Sequence, residues 1–93
     1  VVPPGPLERW TSPPFEPTLR DGKLWGRGAA DMKSGVAAMQ LALERYIRAR
    51  PDHSGRVGIL LTSDEEGSAR DGIVQVMPWL AERGDRIDCA LIG

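Results

Sequence analysis

The stretch KLWGRGAADMKSGVAAMQLALERYI, Lys23–Ile47, decides how the chain is read. A short apolar strand, a glycine-rich turn holding one aspartate, and an amphipathic segment follow one another without a spacer. From Met32 to about Arg50 the residues Met32, Val36, Met39, Leu43, Tyr46 and Ile47 fall at helical spacing. Lys33, Gln40, Glu44, Arg45 and Arg48 are left for the wet side, so the spacing predicts a helix that Pro51 ends. Asp31, just before that helix, admits three readings: a helix cap, part of a phosphate cradle, or a metal ligand.

Working outward, Pro17–Arg20 and Lys23–Trp25 flank Asp21-Gly22, a strong two-residue hairpin turn signal. Upstream, Val1–Pro17 holds six of the eight prolines, which fix φ and remove donors, so an irregular extended loop is expected, pinned by Trp10 and Phe15. Downstream, Pro51–Gly55 reads as a loop. Val57–Thr62 is an apolar run without alternation, the pattern of a central parallel strand covered on both faces. The acidic loop Asp64-Glu65-Glu66-Gly67-Ser68 follows. A second helix is expected from about Asp71 to Arg83, with Ile73, Val76, Met77 and Leu80 inward, Pro78 marking a kink or break, and Gly84 closing it. Ile87–Ile92 reads as another buried strand. This alternation predicts an α/β fold: a mixed, largely parallel sheet with flanking helices.

That topology bears on the acids. The first helix would carry the chain roughly 27 Å away at ~1.5 Å per residue. The next strand would bring it roughly 20 to 23 Å back at ~3.3 Å per residue. A right-handed crossover then returns Glu65 and Glu66 to the edge that holds Asp31, the carboxyl end of the strands, where open α/β sheets take their ligands. Three carboxylates on one rim repel one another unless something positive lies among them, and a divalent metal, or two, is the simplest remedy. Successive residues of an extended segment face opposite sides, so one of Glu65 and Glu66 could bind metal while the other faces a water as general base. Metal-dependent amide hydrolysis needs that division of labour.

Each signal has a plainer reading. Asp31 in isolation is an ordinary N-cap. Asp64-Glu65-Glu66 in isolation is a solvated turn. His53 falls at the far end of the helix from the acids, as an exposed loop residue, and Cys89 reads as a small buried core residue. A different class of function is a phosphate- or nucleotide-binding module built on Gly26–Gly35. Against it, Met32 stands before Lys33 where a phosphate loop wants glycine, and Asp31 replaces the third glycine of the dinucleotide pattern.

Composition adds bounds. Twelve basic and thirteen acidic residues are scattered along the chain, which supports neither nucleic acid nor a membrane surface as partner. One cysteine and no charged-then-apolar leader point to a reducing, cytoplasmic setting. At 93 residues the chain is one domain at most, and its first and last residues, with no initiator methionine and an apolar run at the end, read as those of a piece of a longer protein.

The two stretches PPGPLERWTSPPFEPTLRDGKLWGRGAADMKSG, Pro3–Gly35, and LLTSDEEGSARDG, Leu60–Gly72, resemble the M20 co-catalytic metallopeptidases, and the likeness extends across essentially the whole segment. The resemblance implies that residues 1–93 are part of a metal-binding catalytic domain whose lid and dimerisation domain is absent. It implies two zinc ions, with cobalt or manganese as substitutes. Asp31 matches the aspartate that bridges them, Glu65 the general base, and Glu66 a ligand to one of them. It also implies a small-molecule substrate, an N-succinyl diamino acid on the bacterial route to lysine and diaminopimelate, and a homodimeric complete protein. Deacetylation of acetylornithine, or another M20 amidohydrolase or carboxypeptidase activity, is the alternative, since acetylornithine deacetylases share the Gly-x-Gly-x-x-Asp-Met-Lys and Asp-Glu-Glu elements. In the family a His-x-Asp motif precedes the position of Val1, and further ligands follow that of Gly93. The segment alone is therefore expected to bind zinc weakly and to be inactive.

Overall fold

The computed structural model of the chain describes residues 2–92. They divide into two compact units, Pro3–Leu60 and a second that runs from Leu61 toward the C-terminal end and takes in Val2. Val1, the outer end of the expected proline-rich loop, and Gly93, the residue after the final apolar run, lie outside the described residues.

In the first unit the hairpin forms as the turn chemistry dictates. Strands β1 (Thr18–Arg20) and β2 (Lys23–Trp25) pair antiparallel, with Thr18 opposite Trp25, Leu19 opposite Leu24 and Arg20 opposite Lys23. Asp21 and Gly22 have φ of 53° and 71°, and a two-residue turn with positive φ at both centres matches the right-handed twist of the strands it joins. Period-two alternation puts Arg20 and Trp25 on one face as a diagonal pair, and the Arg20 guanidinium lies 4.4 Å from the centre of the Trp25 ring. The same guanidinium donates to Thr11 Oγ1 at 2.8 Å, tying the hairpin to the proline-rich segment.

That segment is irregular apart from one 3₁₀ turn, Leu7–Arg9. Trp10 pins it as expected: its indole N–H donates to the Pro4 carbonyl at 2.9 Å. Phe15 does not, being 66% exposed.

Helix α1 spans Ser34–Ala49. Val36, Met39 and Leu43 are its half-buried side, with Met32 half-buried just ahead of it. Tyr46 and Ile47, expected on the same face, are exposed because the described residues lay no sheet over the last turns. Glu44 pairs with Arg48 at 3.7 Å one turn along the exposed side. Pro51 follows the C-cap Arg50 and stops it. His53 is only half exposed, a correction to its reading as a bare loop residue. Its ring meets the Tyr46 ring edge-on at 5.4 Å, and its backbone N–H bonds the Arg50 carbonyl at 3.1 Å.

In the second unit, helix α2 spans Ile73–Glu82, starting two residues later than expected and running through Pro78. Gly84, at φ 71°, ends it: the Gly84 N–H bonds the Ala81 carbonyl and the Asp85 N–H the Leu80 carbonyl, both at 2.9 Å. This is a Schellman close, which needs a residue free to take the left-handed conformation.

The sheet departs from expectation. Among the described residues β1 and β2 make the one ladder, and neither residues 57–62 nor 87–92 form a strand. The physical reason is that a parallel strand takes its hydrogen bonds from neighbours and its cover from helices on both faces. Neither run finds a strand partner here, and Leu61, Leu91 and Ile92 are 61%, 90% and 92% exposed. Cys89, expected in a core, is exposed for the same cause. Among the described residues no apolar side chain is buried, although twenty large ones stand exposed. Neither α1 nor α2 has a buried residue.

Candidate metal and catalytic carboxylates

Asp31 lies in the first unit, on a π-helical turn, Ala29–Lys33, that joins the hairpin to α1. The turn opens on Gly28, which is buried and left-handed at φ 74°, ψ 10°, and closes where the Lys33 N–H bonds the Gly28 carbonyl at 2.9 Å. A side chain at Gly28 would oppose that conformation. Inside the ring the backbone leaves the helical region: Asp31 has φ −116°, ψ 99° and Met32 φ −137°, ψ 37°, and the peptide bond between them is cis. Asp31 is exposed, and among the described residues its carboxylate makes no hydrogen bond or ion pair.

This corrects the capping alternative. The N-cap of α1 is Lys33, and no side chain bonds the first turn. Asp31 stands three residues ahead of Ser34 on extended backbone, out of register for a cap.

Two further bonds hold the turn. The Arg27 N–H donates to the Pro14 carbonyl at 2.6 Å, and Lys33 Nζ donates to the Arg27 carbonyl at 3.1 Å. Lys33 thus reaches back over its own loop, a role that sequence reasoning did not assign. The signal was the six-residue offset between Arg27 and Lys33 across a glycine turn.

Glu65 and Glu66 lie in the second unit, both exposed, within the turn at residues 65–68. They are not on extended backbone, so the expected alternation of their side chains does not apply. The chain turns because Asp64 takes φ 57° and collects donors: its carbonyl accepts the Gly67 and Ala69 N–H groups at 3.4 and 3.1 Å, and its Oδ2 accepts the Ser68 hydroxyl at 3.1 Å. A Cβ on Gly67 would run into the Asp64 carboxylate. Asp64 therefore builds the turn rather than serving as a third interchangeable acid, which the spacing Asp-x-x-Gly-Ser could have indicated. Farther along, Ser63 Oγ donates to the Asp71 carbonyl at 3.0 Å and closes the loop ahead of α2.

Among the described residues no three His, Cys, Asp or Glu side chains form a group able to hold a metal ion. The donors do fit such an ion chemically. Asp31, Glu65 and Glu66 are exposed carboxylates with no bonding partner among the described residues, and anionic oxygens suit a divalent cation. Among the described residues no helix is long and apolar enough to cross a membrane.

Comparison with known proteins covers the same stretch. The model of Peptidase family M20/M25/M40 matches residues 1–93. A protein of Methylibium petroleiphilum named succinyl-diaminopimelate desuccinylase is 58% identical over 93 residues, all of this chain and 24% of its own length. Proteins of the same name from Herminiimonas arsenicoxydans and Azoarcus sp. are each 59% identical over 93 residues, 25% and 24% of their lengths. The chain spans about a quarter of the length of the curated relatives it matches.

Proposed function

This chain belongs to Peptidase family M20/M25/M40, and from that membership we propose that residues 1–93 are part of the metal-binding catalytic domain of a hydrolase that cleaves N-succinyl-LL-2,6-diaminopimelate to succinate and LL-2,6-diaminopimelate. The observation that carries the reading is the 58–59% identity to proteins named for that reaction over all 93 residues of the chain, a span that includes both acidic stretches.

In this reading residues 57–62 and 87–92 are strands of a largely parallel sheet in the complete domain, and the crossover through α1 brings Glu65 and Glu66 to the edge where Asp31 stands. Asp31 and Glu66 would hold a pair of divalent cations, zinc or its substitutes cobalt and manganese. When bound, such cations supply Lewis acidity to the scissile carbonyl and to water. Glu65 takes the proton from the attacking water onto a carboxylate oxygen and hands it to the departing amine. Gly28 and the bonds around Arg27 set where the Asp31 carboxylate stands. The complete protein acts as a homodimer in the cytoplasm on this small-molecule substrate.

Deacetylation of acetylornithine is the competing activity, since both acidic motifs serve it equally. The phosphate-loop alternative finds no support in the turn: Lys33 Nζ is engaged by the Arg27 carbonyl rather than standing clear to meet a phosphate. The test is a direct comparison on the full-length protein, kcat/KM for N-succinyl-LL-2,6-diaminopimelate against N-acetylornithine. The reading expects a clear preference for the succinyl substrate, and a preference for acetylornithine would overturn it.

A further inference from the structure

We infer that Lys33 is a positioning residue whose side chain latches the turn carrying Asp31, setting that carboxylate for a divalent cation. This rests on the reading of Asp31 as a metal ligand. Three observations carry it. First, Lys33 closes the turn twice, its N–H to the Gly28 carbonyl at 2.9 Å and its Nζ to the Arg27 carbonyl at 3.1 Å. Second, the Arg27 peptide is the point at which the turn is fixed to the rest of its unit, since its N–H donates to Pro14 at 2.6 Å. The latch therefore ends on an anchored group rather than on a loose loop. Third, the residues between the two ends, Asp31 and Met32, hold non-helical backbone inside a helical ring. Backbone outside the helical region has no helical ladder of its own, so its placement depends on the bonds at the two ends of the turn. An ammonium group bonded to a carbonyl is a charge-assisted contact, stronger than a neutral one. Removing it leaves the main-chain bond and loosens the placement of Asp31 without unfolding an exposed surface turn.

The experiment uses the full-length protein stripped of metal and titrated with Zn2+ by calorimetry, for the wild type, Lys33→Met, Lys33→Arg and Asp31→Asn. Supporting groups behind a metal ligand typically contribute about 10- to 100-fold in affinity. Lys33→Met is expected to fall in that range, and Lys33→Arg, which keeps a charged donor, to recover most of the loss. A second readout needs no metal: amide hydrogen exchange at position 33 in the stripped protein is expected to quicken in Lys33→Met and not in Lys33→Arg. If Asp31→Asn binds Zn2+ as tightly as the wild type, Asp31 is not a ligand and the positioning role falls with that reading. If Asp31→Asn loses Zn2+ while Lys33→Met keeps wild-type affinity and exchange, the latch alone is overturned.

Discussion

The main-chain N–H of Arg27 donates to the carbonyl of Pro14 at 2.6 Å, fixing the glycine turn before α1 to the proline-rich segment thirteen positions earlier in the chain. The turn that holds Asp31 is therefore anchored at its entrance and ringed by Gly28 and Lys33 at its ends. Its geometry depends on backbone conformations that a side chain would disturb.

Gly28→Ala places a Cβ on a buried residue at φ 74°. Left-handed backbone costs a non-glycine residue roughly 1–2 kcal/mol, so denaturant unfolding of the full-length protein is expected to show a loss of that order. Zn2+ affinity should fall with it, because the turn carrying Asp31 shifts. An unchanged midpoint would mean the turn relaxes without cost.

Gly67→Ala drives a Cβ toward the Asp64 carboxylate that organises the acidic turn. Both Glu65 and Glu66 ride on that turn, so kcat should drop by about tenfold or more if their placement sets the rate. Because the turn is exposed, the unfolding midpoint is expected to move little. Kinetics at saturating substrate, read beside an unfolding curve, check both parts.

Glu65→Gln and Glu66→Gln should part company. Loss of a general base typically costs about 10²–10⁴-fold in rate, so Glu65→Gln is expected to lose activity while retaining its metal. Glu66→Gln is expected to lose metal first, and activity as a consequence. Metal content by mass spectrometry beside steady-state rates distinguishes them, and identical metal content in the two variants would contradict the assigned roles.

The isolated 93-residue chain is expected to bind Zn2+ weakly, to show no desuccinylase turnover and to unfold without a sharp transition. Among the described residues no apolar side chain is buried, and cooperativity comes from burying a core. Thermal unfolding by circular dichroism with a dye that reports exposed apolar surface checks this, and a sharp transition with no dye binding would contradict it.

What could be read from the sequence divides along one physical line. The Asp21-Gly22 hairpin, the α1 face as far as Leu43 and the Gly84 close of α2 were legible because turn chemistry and helical spacing are local, whereas Tyr46 and Ile47, read on the same face, stand exposed. The runs at 57–62 and 87–92 were read as strands from their apolar character, yet a parallel ladder is non-local and its partners are not found among the described residues. Residues 31, 65 and 66 could be picked out as acids at the right places in the chain. Their local backbone could not: no pattern announces a π-helical turn at Ala29–Lys33, and an acidic triple does not say that Asp64 is the residue that bends the chain.

The most direct test of the shared metal centre is an anomalous-scattering map from crystals of the full-length protein grown with Zn2+. Carboxylate oxygens of both Asp31 and Glu66 are expected at about 2.0–2.2 Å from zinc, with Glu65 beside the metal but not bound to it. Zinc held without Asp31, or Glu65 and Glu66 lying on a different face of the sheet from Asp31, would contradict that arrangement.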